Sequence, residues 1–218
     1  MKEFDYSSIP EYKFYTFAVK TFGPLFRKLY NIKYKGTENI PVNNKHYIVA
    51  INHTCALDPV FVALGNNIPR LHFMAKVELF KNPVVAWVIT HLYGFPVKRG
   101  AGDTSAIDYA EKITNEGHVL AICPEGKRIK DKNGVPQKAK SGVAIIAHNT
   151  GASVLPVAIC CKNKIKRGEQ VTVVYGEPLS VSELGIDKPE HSREEIKAAA
   201  NTVMEKISEM REKELSGN

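Results

Sequence analysis

The sequence predicts an α/β fold: a mixed, largely parallel central sheet flanked by helices, with an N-terminal amphipathic helical element ahead of it. Three observations carry this expectation. From residue 46 onward, apolar runs of strand length alternate with segments of helical periodicity, the pattern of a sheet with helices between its strands. Residues 11–30 follow a different rule, with apolar side chains at the three-and-four spacing of one helix face. A chain of 218 residues, 44% hydrophobic and 24% charged, has the length and composition to bury a core.

Taken in order, the N-terminal segment places Phe14, Phe17, Phe22, Leu25 and Phe26 along one face. Lys13, Lys20 and Arg27 recur every seven residues on the other. Gly23-Pro24 interrupts the pattern and predicts a kink or two short helices. Aromatics opposite cations suit a helix lying in a membrane interface, and equally a helix packed on the protein's own core. This divides the chain into residues 1–33, the amphipathic element, and residues 34–218, the main domain.

Within the main domain, "HYIVAIN" (46–52) is a buried strand, and a helix begins near Pro59. "RLHFMAK" (70–76) is a second strand, followed by a helix within 82–92. "YGFPVKR" (93–99) is a short strand, and 103–117 is a helix closed by Gly117. "HVLAIC" (118–123) precedes a polar loop and a helix within 141–149. "SVLPVAICC" (153–161) and "QVTVVYGE" (170–177) complete the strands. A Ser192-x-x-Glu195 capping box opens a last helix over 192–214.

A net charge of +7 favours anionic partners: nucleic acid, phospholipid headgroups, phosphorylated metabolites or an acidic carrier protein. The basic residues lack the aromatic interleaving of a single-strand groove, so no nucleic acid is expected. The four cysteines form no CxxC pair and no zinc spacing, and no metal site is expected. "MKEFDYSSIPEY" has no apolar signal segment, and no apolar run reaches the ~18 residues of a spanning helix. A reducing cytoplasmic setting is the expectation.

In open α/β sheets the active crevice lies beyond the carboxyl ends of the strands, and three such loops stand out. "NHTCALD" (52–58) follows the first buried strand. On a continuous helix His53 and Asp58 would point about 140° apart, so they meet only if the segment turns. Asp58-Pro59 is also an ordinary start to a helix. "VKRGAGDTSA" (97–106) puts Lys98 and Arg99 beside a glycine turn and a helix N-terminus, a place suited to an anion. Its Gly100-x-Gly102 is a weak imitation of a dinucleotide turn, on which a nucleotide-dependent oxidoreductase would have to rest. "CPEGKRIKDKNGVPQKAKSG" (123–142) sets Glu125, Gly126 and Arg128 at a strand exit.

Read together and in order, "NHTCALD", "GFPVKRG", "PEGKR" and "VLPVAI" resemble the four blocks of the glycerolipid acyltransferase family, the PlsC-like 1-acylglycerol-3-phosphate acyltransferases with a His-x4-Asp motif. The resemblance runs from about residue 34 to 180. Two departures stand within it. Lys127 and Ile129 occupy positions where the family carries Thr and Ser, and Ala139 replaces the aromatic of a Phe-Lys-x-Gly segment.

The resemblance implies transfer of a fatty acyl group from acyl-CoA or acyl carrier protein to lysophosphatidic acid, forming phosphatidic acid. Another lysolipid or an amino-acid lipid is the alternative acceptor. His53 would be the general base and Asp58 its orienting partner. Arg99, Gly100, Glu125, Gly126 and Arg128 would line the acceptor phosphate, with Glu125 orienting an arginine or binding a hydroxyl. Cys55, between the pair, is not required as a nucleophile. No tightly bound cofactor is implied, and a lipid acceptor favours a peripheral protein on anionic lipid at the cytoplasmic face of the membrane.

Overall fold

The computed structural model describes residues 4–98, 103–127 and 139–217. Its strands are β1 (Lys33–Lys35), β2 (Tyr47–Ile51), β3 (Leu71–Lys76), β4 (Gly94–Val97), β5 (Val119–Ile122), β6 (Ser153–Cys160) and β7 (Thr172–Tyr175). They form one sheet in the order β1-β7-β6-β2-β5-β3-β4. Five neighbours from β6 to β4 run parallel; β7 pairs antiparallel with β6, and β1 pairs parallel with β7. The mixed, largely parallel sheet is therefore present, with its one reversal at β6–β7.

The central strands are apolar throughout because helices cover both faces of the sheet. In β2, Ile48 and Ala50 join one core cluster, and Tyr47, Val49 and Ile51 join the other. The first cluster is covered by α4 (Thr104–Asn115), α5 (Gly142–Thr150) and α6 (Arg193–Ser216). Phe61 and Val62 of α2 (Asp58–Ala63) pack into the second. Three helix starts carry side-chain caps. Asn82 caps α3 (Pro83–His91), Asp103 caps α4, and Ser192 with Glu195 forms the expected capping box on α6.

The amphipathic segment forms α1 (Lys13–Leu29), a single helix rather than two. Gly23 does not break it. Gly23 is buried and lets the helix approach Leu64, whose Cδ2 would lie 2.9 Å from a Cβ added there. The apolar face divides between two roles. Phe14 packs on Trp87 with ring centroids 4.9 Å apart, and Phe26 leans on Tyr30. Phe17, Phe22 and Leu25 remain 57%, 50% and 55% exposed. Arg27 is exposed but tied down, donating to the Leu64 carbonyl and lying over the Tyr34 ring. No helix among the described residues is long and apolar enough to cross a membrane.

Candidate active site

The two strand ends that matter are neighbours. β2 leads through α2 to β3, while β5 leads through α5 to β6, so the chain leaves adjacent strands in opposite directions and over opposite faces. Each connection passes the other's strand on its own face, and the crevice between these two exits is a topological switch point where side chains from both can meet.

At the end of β2, Asn52 is fully buried. Its amide nitrogen donates to the Ile159 carbonyl at 3.1 Å, and its oxygen accepts from the Ile159 N–H at 2.7 Å. The side chain thus continues the β2–β6 ladder after the backbone has left it. His53 is fixed at the point of departure.

The segment then turns, and His53 and Asp58 meet. His53 Nδ1 lies 2.8 Å from Asp58 Oδ2. Asp58 is fully buried, and its carboxylate faces backward into the loop rather than forward to cap α2. It accepts from the Thr54 N–H at 2.7 Å, the Cys55 N–H at 2.8 Å and the Thr54 hydroxyl at 2.6 Å. The ordinary capping role is therefore not the one this aspartate plays. A carboxylate can only accept, so the imidazole proton is placed on Nδ1 and Nε2 is left as the basic nitrogen.

A helix of six residues has little stability of its own. α2 is held at its far end by side chains from three other elements. Tyr34 donates to the Phe61 carbonyl at 3.0 Å, Tyr175 donates to Val62 at 3.1 Å, and Arg27 donates to Leu64. Tyr34 and Arg27 supply donors to terminal carbonyls left without an intrahelical partner, and Tyr175 adds a second donor to the Val62 carbonyl, which also accepts from the Gly65 N–H at 2.9 Å. These bonds set where α2 begins and so where Asp58 sits.

From the end of β5, Glu125 Oε2 accepts the His53 backbone N–H at 3.1 Å. Glu125 is 3% exposed, and its Oε1 has no partner among the described residues. Burial raises its carboxyl to about 8; the His53 N–H opposes the shift and the Asp58 charge adds to it. Gly126 follows in the left-handed region at φ +68°, where a Cβ would meet Lys140 Cγ at 3.1 Å. The Lys140 N–H donates to the Pro124 carbonyl at 2.7 Å, which brings the residue after Ala139 to the same turn.

Cys55 is unsuited to nucleophilic attack. Burial and the adjacent Asp58 charge push its thiol up to about 12, and Sγ donates to Asp58 Oδ1 at 3.3 Å. Of the residues singled out in the sequence, His53, Asp58, Glu125 and Gly126 come together here. Arg99, Gly100 and Arg128 lie outside the described residues, as does Gly102. The strand before that glycine turn is an edge strand, unlike the central strand a dinucleotide turn needs. Sequence reasoning missed the loop amides of Thr54 and Cys55, which leave no side-chain signature, and Lys140, whose signal was the Lys-x-Gly spacing.

Comparison with known proteins places the chain in a family. A family model described as acyltransferase matches residues 31–160. A 1-acyl-sn-glycerol-3-phosphate acyltransferase of Streptococcus pneumoniae is 31% identical over 159 residues, 71% of this chain and 58% of that protein. The chain thus spans little more than half of that relative. The Bacillus subtilis protein of the same name is 28% identical over 186 residues, covering 84% of this chain and 89% of its own. The crystal structure of the 1-acyl-sn-glycerophosphate acyltransferase of Thermotoga maritima superposes with a TM-score of 0.65 at 28% identity, covering 93% of this chain and 78% of that one.

Proposed function

The chain belongs to the acyltransferase family, and on that premise we propose that it moves a fatty acyl group from an acyl thioester to the free hydroxyl of lysophosphatidic acid, forming phosphatidic acid. The observation that carries this reading is the 2.8 Å contact between His53 and a buried, backward-facing Asp58 at the switch point of the sheet.

A thioester carbonyl reacts poorly with a neutral alcohol and readily with an alkoxide, so the task is to remove one proton as the bond forms. His53 Nε2 takes the hydroxyl proton, and Asp58 stabilises the imidazolium through Nδ1. The tetrahedral adduct then breaks its carbon–sulfur bond. The departing thiolate takes the proton from Nε2, giving ester and free thiol and restoring the imidazole. The acceptor hydroxyl is itself the nucleophile, so no acyl-enzyme is formed. This scheme calls on no resident cofactor.

By family resemblance, Arg99, Gly100, Glu125, Gly126 and Arg128 line the acceptor phosphate, and Lys140 is the cation that the described structure adds beside Gly126. Acyl-CoA and acyl carrier protein are both anionic donors compatible with a chain of net charge +7. The acceptor resides in a bilayer, and the exposed row on α1 supports a peripheral location on the cytoplasmic face.

Purified protein mixed with lysophosphatidate and an acyl thioester, with thiol release followed, tests the reading. Release that depends on lysophosphatidate is expected, and acyl-CoA and acyl carrier protein compared at one chain length identify the donor. No release with any thioester would overturn it.

A further inference from the structure

The loop joining β6 to β7 contains Lys162, Lys164, Lys166 and Arg167 against a single anion, Glu169, and all four cations are exposed. A solvated loop is the ordinary fate of such a run, but this one is pinned. Ile165 packs against the core between its two exposed lysine neighbours. The Asn163 amide donates to Glu169 at 3.1 Å across the base, and Lys166 lies 3.6 Å from the same carboxylate. The Gly168 N–H donates to the Leu29 carbonyl at 2.9 Å, and the Val171 N–H donates to Tyr30 at 3.1 Å. Lys162, Lys164 and Arg167 have no ion-pair partner among the described residues. The loop is therefore fixed to the end of α1 with three charges uncommitted.

We propose that this loop is a phosphate-headgroup contact which, together with Phe17, Phe22 and Leu25 of α1, seats the chain on anionic bilayers. The inference rests on the lipid acceptor proposed above. Two independent features meet here: a rigid cationic strip and a row of half-exposed large apolar side chains on the helix to which it is tied. That combination matches the two layers of an anionic bilayer, phosphates outside and acyl chains beneath. The apolar surface is extended, since Phe14 connects α1 to the exposed Trp87 and α3 also shows Val84. A plane rather than a small partner fits that extent. The loop also begins one residue after Cys160, and the preceding Ile159 is clamped to Asn52 beside His53. Docking here brings the catalytic edge of the sheet to the headgroups.

The test replaces the three uncommitted cations together, K162Q/K164Q/R167Q, and measures co-sedimentation with vesicles of phosphatidylcholine alone or mixed equally with phosphatidylglycerol. At about fivefold per cation, the variant is expected to lose about a hundredfold of its partition onto the anionic vesicles. Binding to neutral vesicles should not change, nor should turnover of a short-chain, monodisperse lysophosphatidate with soluble acyl-CoA. Unchanged partition onto anionic vesicles would overturn the proposal. So would loss of acyl-carrier capture or of soluble turnover with vesicle binding intact, because the loop would then serve the donor or the acceptor. A wild type that binds vesicles but releases no thiol would remove the proposed function and leave this inference to the vesicle result alone.

Discussion

Glu125, at the end of β5, holds the backbone N–H of His53, at the end of β2, through a 3.1 Å hydrogen bond. The two residues are 72 positions apart and belong to neighbouring strands. The bond closes the switch point from one side, as Asn52 closes it from the other. His53 is thus fixed through its backbone by two strands and through its ring by Asp58.

The Glu125 carboxyl makes the fold's stability depend on pH. In the folded chain it keeps its proton up to about 8, whereas in the unfolded chain it ionises near the ordinary value of 4.5. Between those values the unfolded state binds fewer protons, so stability falls as pH rises. Glu125→Gln keeps an acceptor for the His53 N–H and has no proton to lose. The melting temperature of the variant minus that of the wild type should climb from pH 5 to pH 8 and level off above. A flat difference across that window would show a carboxyl already ionised.

His53→Ala should lower acyl transfer by roughly 10²- to 10⁴-fold with the fold intact, because Asp58 retains its loop donors. Asp58→Asn should lose activity on a similar scale and also about 1–3 kcal/mol of stability, since an amide cannot accept from all of those groups. Thiol release and denaturant titration separate the two effects. Near-normal turnover in folded His53→Ala protein would remove histidine as the base.

Asn52→Ala deletes both hydrogen bonds to Ile159 in a fully buried place and leaves an N–H and a carbonyl unpaired. We expect a loss of about 2–5 kcal/mol in urea unfolding, with a reduced kcat in the protein that remains folded. Wild-type stability in this variant would mean that the ladder closes without the side chain.

Changing Phe17, Phe22 and Leu25 together to Ser should cut sedimentation with vesicles while leaving the melting temperature within a few degrees, since these side chains are at least half exposed. The same change at Phe14 and Phe26 should lower the melting temperature instead, because those rings pack on Trp87 and Tyr30. Unfolding of the first variant would assign the whole helix to the core.

The fold was legible because its signals are local. Five-residue apolar runs such as Tyr47–Ile51 mark strands covered on both faces, and Ser192 with Glu195 writes a helix start into four residues. β1 escaped notice because Lys33–Lys35 has no apolar run, and only its pairing with β7 makes it a strand. At the site, the spacing of His53 and Asp58 was visible, but the spacing alone fits a helix start as well as a turn. The choice between them depends on the Thr54 and Cys55 amides and on the bonds from Tyr34, Tyr175 and Arg27 to α2. Those are backbone or long-range contacts with no spacing rule. The bond from Arg27 to the Leu64 carbonyl is of the same kind, and its seven-residue recurrence with Lys13 and Lys20 gives no sign of it.

Both rims of the sheet are poor templates for another strand. On one side β1 is three residues long and flanks its tyrosine with Lys33 and Lys35. On the other, β4 carries Pro96, which has no N–H to offer, and the Pro96 carbonyl is already taken by the Tyr6 hydroxyl at 3.1 Å. Short, charged or proline-bearing edges discourage edge-to-edge association and the cross-β stacking that follows from it. On the bilayer surface proposed above, collisions between copies would be frequent. These rims would let the chain crowd there without seeding aggregates.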